Sequence, residues 1–334
     1  MTALSGRADA VRSRPVDAVG ALLRRGGWTL GLIGLLILLF VVTKIIQPSY
    51  GFRGIQGLAI SVLPLALVSV AQAIVVISGG IDLSVGSMMA LTSVVSAVLM
   101  AEQSEAAAVA IVLGVLILGL VLGAVNGTLI VITRVPDIVV TLAMSFVWAG
   151  AALYILNTPG GGSATWLRQL ALGPLFIDWI PRAAVVLAVV VAAIWIPLRR
   201  SKLGLSIYAI GSDAVAAHRS GVSVTRTKIA AYALTGLFSA LAGVSLTAST
   251  GLASPVPGPY TLLSVAAVVL GGVSLAGGRG GVLGPIIAVV ILSVLRTDMT
   301  FLGLNPNFAT VAQGLILVGV VMVGSLIQLR RGAT

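Results

Sequence analysis

Apolar stretches of about twenty residues recur along this chain, and that recurrence settles its solvent before any other feature is considered. The first reads WTLGLIGLLILLFVVTKII from Trp28. About 20 such residues carry a helix across the hydrocarbon of a bilayer. Only 9% of the residues are charged, against roughly 25% in a soluble domain, so most of the surface cannot face water. A transmembrane barrel is excluded, because its strands would be short and would alternate polar with apolar residues. The expected class is all-α, a polytopic transmembrane helical bundle.

Spans are expected at about 28–46, 57–78, 85–101, 106–132, 137–157, 181–198, 229–250, 261–278, 281–297 and 308–327. Several of these ten are short and are separated from their neighbours by Gly-Gly or Pro. Broken or re-entrant segments of that kind are tolerated where protein or a water-filled cavity covers them. The chain divides into a basic N-terminal segment 1–27, a membrane domain 28–328 and a tail 329–334. The Arg-rich start leads into an apolar run with no small-residue cleavage site after it, which reads as an uncleaved first span.

The net charge of +11 does not indicate nucleic acid, because the basic residues lie in short segments between spans, as topology determinants do. With ten spans both termini share a side. Placing them in the cytoplasm puts fifteen Lys and Arg inside and five outside (Lys44, Arg53, Arg168, Arg182 and Arg296). That bias fixes the expected orientation. The chain has no Cys, so it has neither disulfides nor thiol chemistry.

The stretch SGGIDLSVGS, Ser78–Ser87, interrupts one of the most apolar regions. An aspartate near the bilayer centre costs roughly 2.5–3.5 kcal/mol. One reading is structural: Gly79 and Gly80 end one helix, and Asp82 or Ser84 caps the next. The other is that the break, with Gly79, Gly80, Asp82 and Ser84, lines a translocation path. Asn126 falls late in a span and is a further candidate for that path. In the following turn, Pro136 begins a helix, Asp137 meets its dipole, and Thr141 is expected to bond back to its own helix. A second stretch, GGVSLAGG from Gly271, echoes GGIDLSVG from Gly79. The two lie an even number of spans apart, which would make them parallel repeats. TGLASPVPGPY, with alternating prolines, is expected as an extended external cap or lid.

The connection at 199–228 is the longest on the side assigned to the cytoplasm, and it holds six of the fifteen internal basic residues. Within GSDAVAAHRSGVS, Ser212 or Asp213 can cap a short helix through Ala214–Arg219, and Gly221 can end it. The bland alternative is an interfacial amphipathic helix. His218 is read as an exposed bystander. GGRGGVLGP near Arg279 lacks the Lys-Ser/Thr of a phosphate loop. No catalytic constellation and no metal-ligand cluster is visible in the sequence.

Four blocks, GGIDLSVGSMMAL, NGTLIVITRVPDIVVTL, GSDAVAAHRSGVSVTRTKI and AAVVLGGVSLAGGRGGVLG, occur in the order and at the spacing of monosaccharide ABC-transporter permeases, which they resemble from about residue 50 to 325. The family includes ribose, xylose, galactose and autoinducer-2 importers of bacteria. The resemblance implies a non-catalytic importer subunit in the bacterial inner membrane, working with a second permease chain, identical or paralogous. A separate ATPase with two fused nucleotide-binding halves would hold the ATP and Mg, leaving this chain without a cofactor. A periplasmic or lipid-anchored binding protein would deliver the sugar. On the same resemblance Gly211, Asp213, Ala216, Ala217, Arg219 and Gly221 form the ATPase-coupling segment. The chain departs from the pattern at Val215, where an acidic residue often precedes the Ala-Ala pair. It departs again at Thr261 and Leu263, where acids commonly stand; this points to a different substrate or to a heteromeric pair whose other member keeps them.

The rival class is an ion- or proton-coupled secondary transporter with Asp82 as the carrier, since such proteins keep ionisable groups within their spans.

Overall fold

The computed structural model describes residues 15–256 and 258–305 and positions 308, 311, 314, 315, 319 and 322, with side chains from Gly27 onward. Most of the expected span 308–327, the first fourteen residues and the tail 329–334 lie outside the described residues. The second half of the basic N-terminal segment is already helical, because α1 runs Pro15–Ile46. The other helices are α2 Phe52–Ile77, α3 Val85–Met100, α4 Ala107–Thr133, α5 Asp137–Ile155, α6 Thr165–Ala171, α7 Arg182–Arg200, α8 Lys202–Ser212, α9 Ala214–Arg219, α10 Val224–Thr250, α11 Tyr260–Leu270 and α12 Leu283–Phe301.

Seven of them, α1, α2, α4, α5, α7, α10 and α12, are long and apolar enough to cross a membrane. At 1.5 Å per residue, α3 with 16 residues and α11 with 11 reach only about 24 and 16 Å, short of a ~30 Å hydrocarbon core. The expected span at 261–278 therefore ends early, at Leu270. Gly271 and Gly272 stop it, with Gly272 at φ +79°.

The helix α2 is the hub. From Val62 to Ile77 every residue is buried, packed mainly among α10, α12, α11 and α7. Such a helix, apolar all round, belongs inside a bundle. By contrast α1 and α5 carry exposed Ile37, Leu38, Phe146 and Val147, the faces suited to lipid. The tightest seam joins α4 to α10. A β-carbon at Gly123 would strike the Tyr232 carbonyl oxygen, and one at Gly119 would strike Ala240. With Gly127 against Ile229 this makes a stripe of glycines at every fourth residue, which lets two backbones meet.

The two Gly-Gly breaks are built alike. After α2, the Ser78 amide donates to Ile74 O and Gly80 to Val75 O, with Gly79 at φ +86°. After α11, Gly271 donates to Ala267 O and Val273 to Val268 O, around Gly272. Both lead-in helices run the same way, as parallel repeats do. The register differs from the sequence pairing by one: Gly79 corresponds to Gly272, because the left-handed residue follows the helix cap in each copy.

The proline-rich segment is not an external cap. Ala253 exchanges two hydrogen bonds with Gly160, whose neighbour Gly162 bonds Ala97 O near the end of α3. Further along the chain, at Thr261, the hydroxyl accepts from Gly86 N at the start of α3, 3.1 Å away. The chain thus passes from the level of Ala97 on α3, at Ala253, to the level of Gly86, at Thr261, so α11 begins part-way into the bundle.

Candidate functional site

The break after α2 is held by a buried polar chain. Asp82 Oδ1 accepts from Ser84 N at 2.7 Å and from Ser84 Oγ at 2.6 Å. Ser84 Oγ accepts from Asn126 Nδ2 at 2.7 Å, and Trp148 Nε1 donates to Asn126 Oδ1 at 3.3 Å. Asp82, Ser84 and Asn126 are fully buried. Three of the expected path residues thus come together across α3 and α4, and Trp148 of α5 joins them unforeseen. The expected cap takes another form. Neither Asp82 nor Ser84 reaches a first-turn amide; Asp82 instead closes a turn on the amide of Ser84 itself, because Ser84 is already in the helical region at φ −96°, ψ −5°. The large cavities, about 640 and 1140 Å³, are lined by other residues.

A second cluster clamps the break from below. Lys228 Nζ lies 2.7 Å from Asp137 Oδ1, and Tyr232 OH donates to Asp137 Oδ2 at 2.7 Å. Gly80 lies directly against this pair, since a β-carbon there would meet both Asp137 Oδ2 and Tyr232 OH. Thr141 bonds back to Asp137 O at 2.8 Å, as expected of it, and its Oγ1 also accepts from Leu83 N at 3.1 Å. The sequence reading missed Lys228 and Tyr232 as partners of Asp137. The available signal was three ionisable or phenolic groups at the ends of otherwise apolar spans.

The 199–228 connection forms three capped pieces. Ser201 Oγ accepts from Gly204 N and begins α8. Asp213 Oδ1 accepts from Val215 N at 2.8 Å and Ala216 N at 2.9 Å, which makes Asp213 rather than Ser212 the cap of α9. Gly221, at φ +85°, turns the chain after α9, and Ser223 caps α10. Ala217 is buried, while Ala214, Val215, Ala216, His218 and Arg219 are exposed.

Gly211, near the end of α8, is wedged between the two breaks. A β-carbon there would strike Ile77 O and crowd Gly278 N, and Gly278 N itself donates to Ile77 O at 2.9 Å. Gly277 leaves no room against Gly211 O and Gly79 Cα. Tyr208 OH on α8 donates to Gly280 O at 2.8 Å, and burial pushes its phenol above the ordinary range, with Arg199 acting the other way. The α8 backbone therefore touches both the α2–α3 and α11–α12 breaks, with no side chain between them.

At the opposite end, Glu105 accepts from Thr165 N at 2.9 Å and caps α6 from outside its own segment. Among the described residues no group of three or more His, Cys, Asp or Glu could hold a metal ion.

The chain is similar to the ribose import permease protein of Bacillus subtilis (strain 168), 36% identical over 289 residues, 86% of this chain and 89% of that protein. It is 32% identical over 299 residues to the ribose import permease protein of Escherichia coli (strain K12), covering 87% and 92%. An autoinducer 2 import system permease protein of Escherichia coli O9:H4 (strain HS) is 31% identical over 319 residues, covering 92% and 94%. No solved structure matches the chain. The family described as branched-chain amino acid transport system / permease component matches residues 54–326, so the helices, both breaks and the α8–α9 connection belong to a member of that family.

Proposed function

We propose that this chain is the permease subunit of an ATP-driven importer for a monosaccharide or similar small polyol. The relatives named for ribose and autoinducer 2 import support the solute class. The observation that carries the coupling mechanism is the contact of Gly211 with Ile77, Gly79 and Gly278. A separate ATPase with two fused nucleotide-binding halves would dock on α9 through Ala216 and Arg219, with Asp213 and Gly221 fixing the ends of that helix. Movement of α9 passes through its shared junction to α8. Gly211 then presses on the floor of both breaks, where α2, α3, α11 and α12 change direction. Rigid contact of this kind converts a small shift into a rearrangement, because packed interiors are stiff.

The gathering of Arg134, Arg199, Arg200, Lys202, Arg219, Arg226, Lys228 and Arg279 toward the end that carries α9 supports reading that end as the cytoplasmic one. A second permease chain and a binding protein at the opposite end complete the assembly. Asp82, Ser84 and Asn126 serve in this reading as the brace of the α2–α3 break rather than as an ion relay.

The test is gentle solubilisation of a tagged chain and mass spectrometry of what accompanies it. A near-stoichiometric ATPase with two nucleotide-binding halves is expected. A chain recovered alone, with uptake indifferent to ATP, would overturn the proposal.

A further inference from the structure

A cavity of about 640 Å³ opens between α2, α10, α11 and α12, within the ~300–1,000 Å³ of small-molecule sites. Along α2 it runs from Gly57 to Leu65, about 12 Å of helix at 1.5 Å per residue. Its mouth, at Gly57, Thr250 and Thr300, lies at the end opposite α9. Its floor is apolar, made by Leu65, Leu263 and Leu292. Between them the wall is rich in hydroxyls, with Ser61, Ser249, Ser293 and Thr297 beside the ring of Tyr260.

The one charged group in that wall is Arg296, and no Asp or Glu lines the cavity. Among the described residues the sole ion pair is Lys228–Asp137, so the Arg296 guanidinium has no counter-charge among them. Asp298, two residues on, is buried and makes no ion pair with it. Arg296 is exposed and lies one helical turn below Thr300 at the mouth, so its charge is presented to whatever enters, and the low-dielectric walls of the cavity focus its field.

We propose that this cavity is a solute-holding vestibule for a monosaccharide-sized polyol that carries an anionic group, a sugar acid being the simplest case. The importer reading supplies the idea of a transported solute, and the vestibule rests on it in that respect. Arg296 would pair with the anion, the Ser and Thr hydroxyls would meet the polyol, and the Tyr260 ring would offer a flat face to the sugar carbons. The apolar floor holds the solute at this level until α11 moves.

Because the chain has no Cys, single-Cys variants report this directly. Ser293→Cys and Ser249→Cys in the full-length chain would be labelled from outside with sulfonate and trimethylammonium methanethiosulfonates. Rates are normalised to Ser104→Cys in the exposed loop at the same end. The sulfonate reagent is expected to react at least about fivefold faster on this scale. The preference should vanish in the added Arg296→Gln variant and persist in Arg296→Lys. Gluconate should slow labelling more than neutral ribitol or inorganic sulfate. Inaccessible positions, equal rates for the two reagents, a preference that survives Arg296→Gln, or equal protection by all three solutes would overturn the proposal. The readout needs no ATP and no ATPase, so its failure leaves the importer reading standing. Conversely, absence of an ATPase partner would leave the labelling result intact.

Discussion

Gly211 lies so close to Ile77 that a side chain at position 211 has nowhere to go: its first carbon would fall on the Ile77 carbonyl oxygen. That single contact joins the α8–α9 connection to the break in the hub helix. Gly211→Ala should therefore leave the chain inserted while displacing α8 from the breaks. Overpacking of this kind costs about 1–3 kcal/mol. Uptake is expected to fall by roughly tenfold or more, with ATP hydrolysis by the assembled complex no longer stimulated by solute. Gly281, which has open space around it, is the control, and Gly281→Ala should transport normally.

Asp213 carries two first-turn amides of a six-residue helix. Asp213→Ala should weaken α9 by about 1 kcal/mol, while Asp213→Asn should retain the cap. Hydrogen exchange across 214–219 measures the helix, and ATPase affinity measures its consequence. Faster exchange and weaker binding in the alanine variant, with rescue by asparagine, are expected.

The Asp82–Ser84–Asn126 chain separates a brace from a proton carrier. Asp82→Asn keeps the Oδ1 acceptor that serves Ser84, so uptake should remain ATP-dependent and indifferent to the proton gradient. Ser84→Ala leaves both Asp82 and Asn126 short of a partner, at a cost of about 1–3 kcal/mol, and should lower the temperature at which the detergent-solubilised chain aggregates. Gradient-dependent uptake abolished by Asp82→Asn would instead favour a secondary transporter.

The glycine seam predicts a contrast along one helix. Gly123 meets the backbone of α10, whereas Gly114 meets nothing within 4 Å. Gly123→Leu should prevent α4 and α10 from closing and leave little monodisperse protein. Gly114→Leu should be recovered at the normal level.

Hydrogen bonding from Thr165 holds the Glu105 carboxyl below its ordinary value of 4.5. A carboxyl depressed in this way supports the folded arrangement above its ordinary pKa and loses that support as the pH falls through the lower folded value. Docking of α6 should therefore be constant in neutral and mildly acidic solution and should loosen only below 4.5. Hydrogen exchange at 165–170 as a function of pH checks this, with Glu105→Gln removing the dependence.

Much of this architecture is legible in the sequence because bilayer crossing is a strong, local constraint. The starts of α3, α5 and α12, and the ends of α2 and α10, fall within a few residues of their expected positions. The α9 helix is readable from Asp213 and Gly221, since capping depends on neighbours in sequence. What escaped is tertiary. Nothing local tells at what depth the chain between α10 and α11 is held; the contacts of Ala253 with Gly160 and of Thr261 with Gly86, far away in sequence, decide that. The pairing of Asp137 with Lys228 and Tyr232 and the stripe Gly119–Gly123–Gly127 likewise depend on which helix lies opposite. The one-residue shift between the breaks follows from which glycine takes the left-handed conformation, a choice the helix end makes.

The account depends most on α9 being the surface on which the ATPase docks. Val215, 63% exposed on α9, is the place to put a photo-cross-linker in the assembled membrane complex. A cross-link from Val215 to a protein with two nucleotide-binding halves, weakened in the Gly211→Ala background when solute is added, is the predicted result. A co-purifying ATPase that cross-links elsewhere on the chain but never to 214–219 would contradict it.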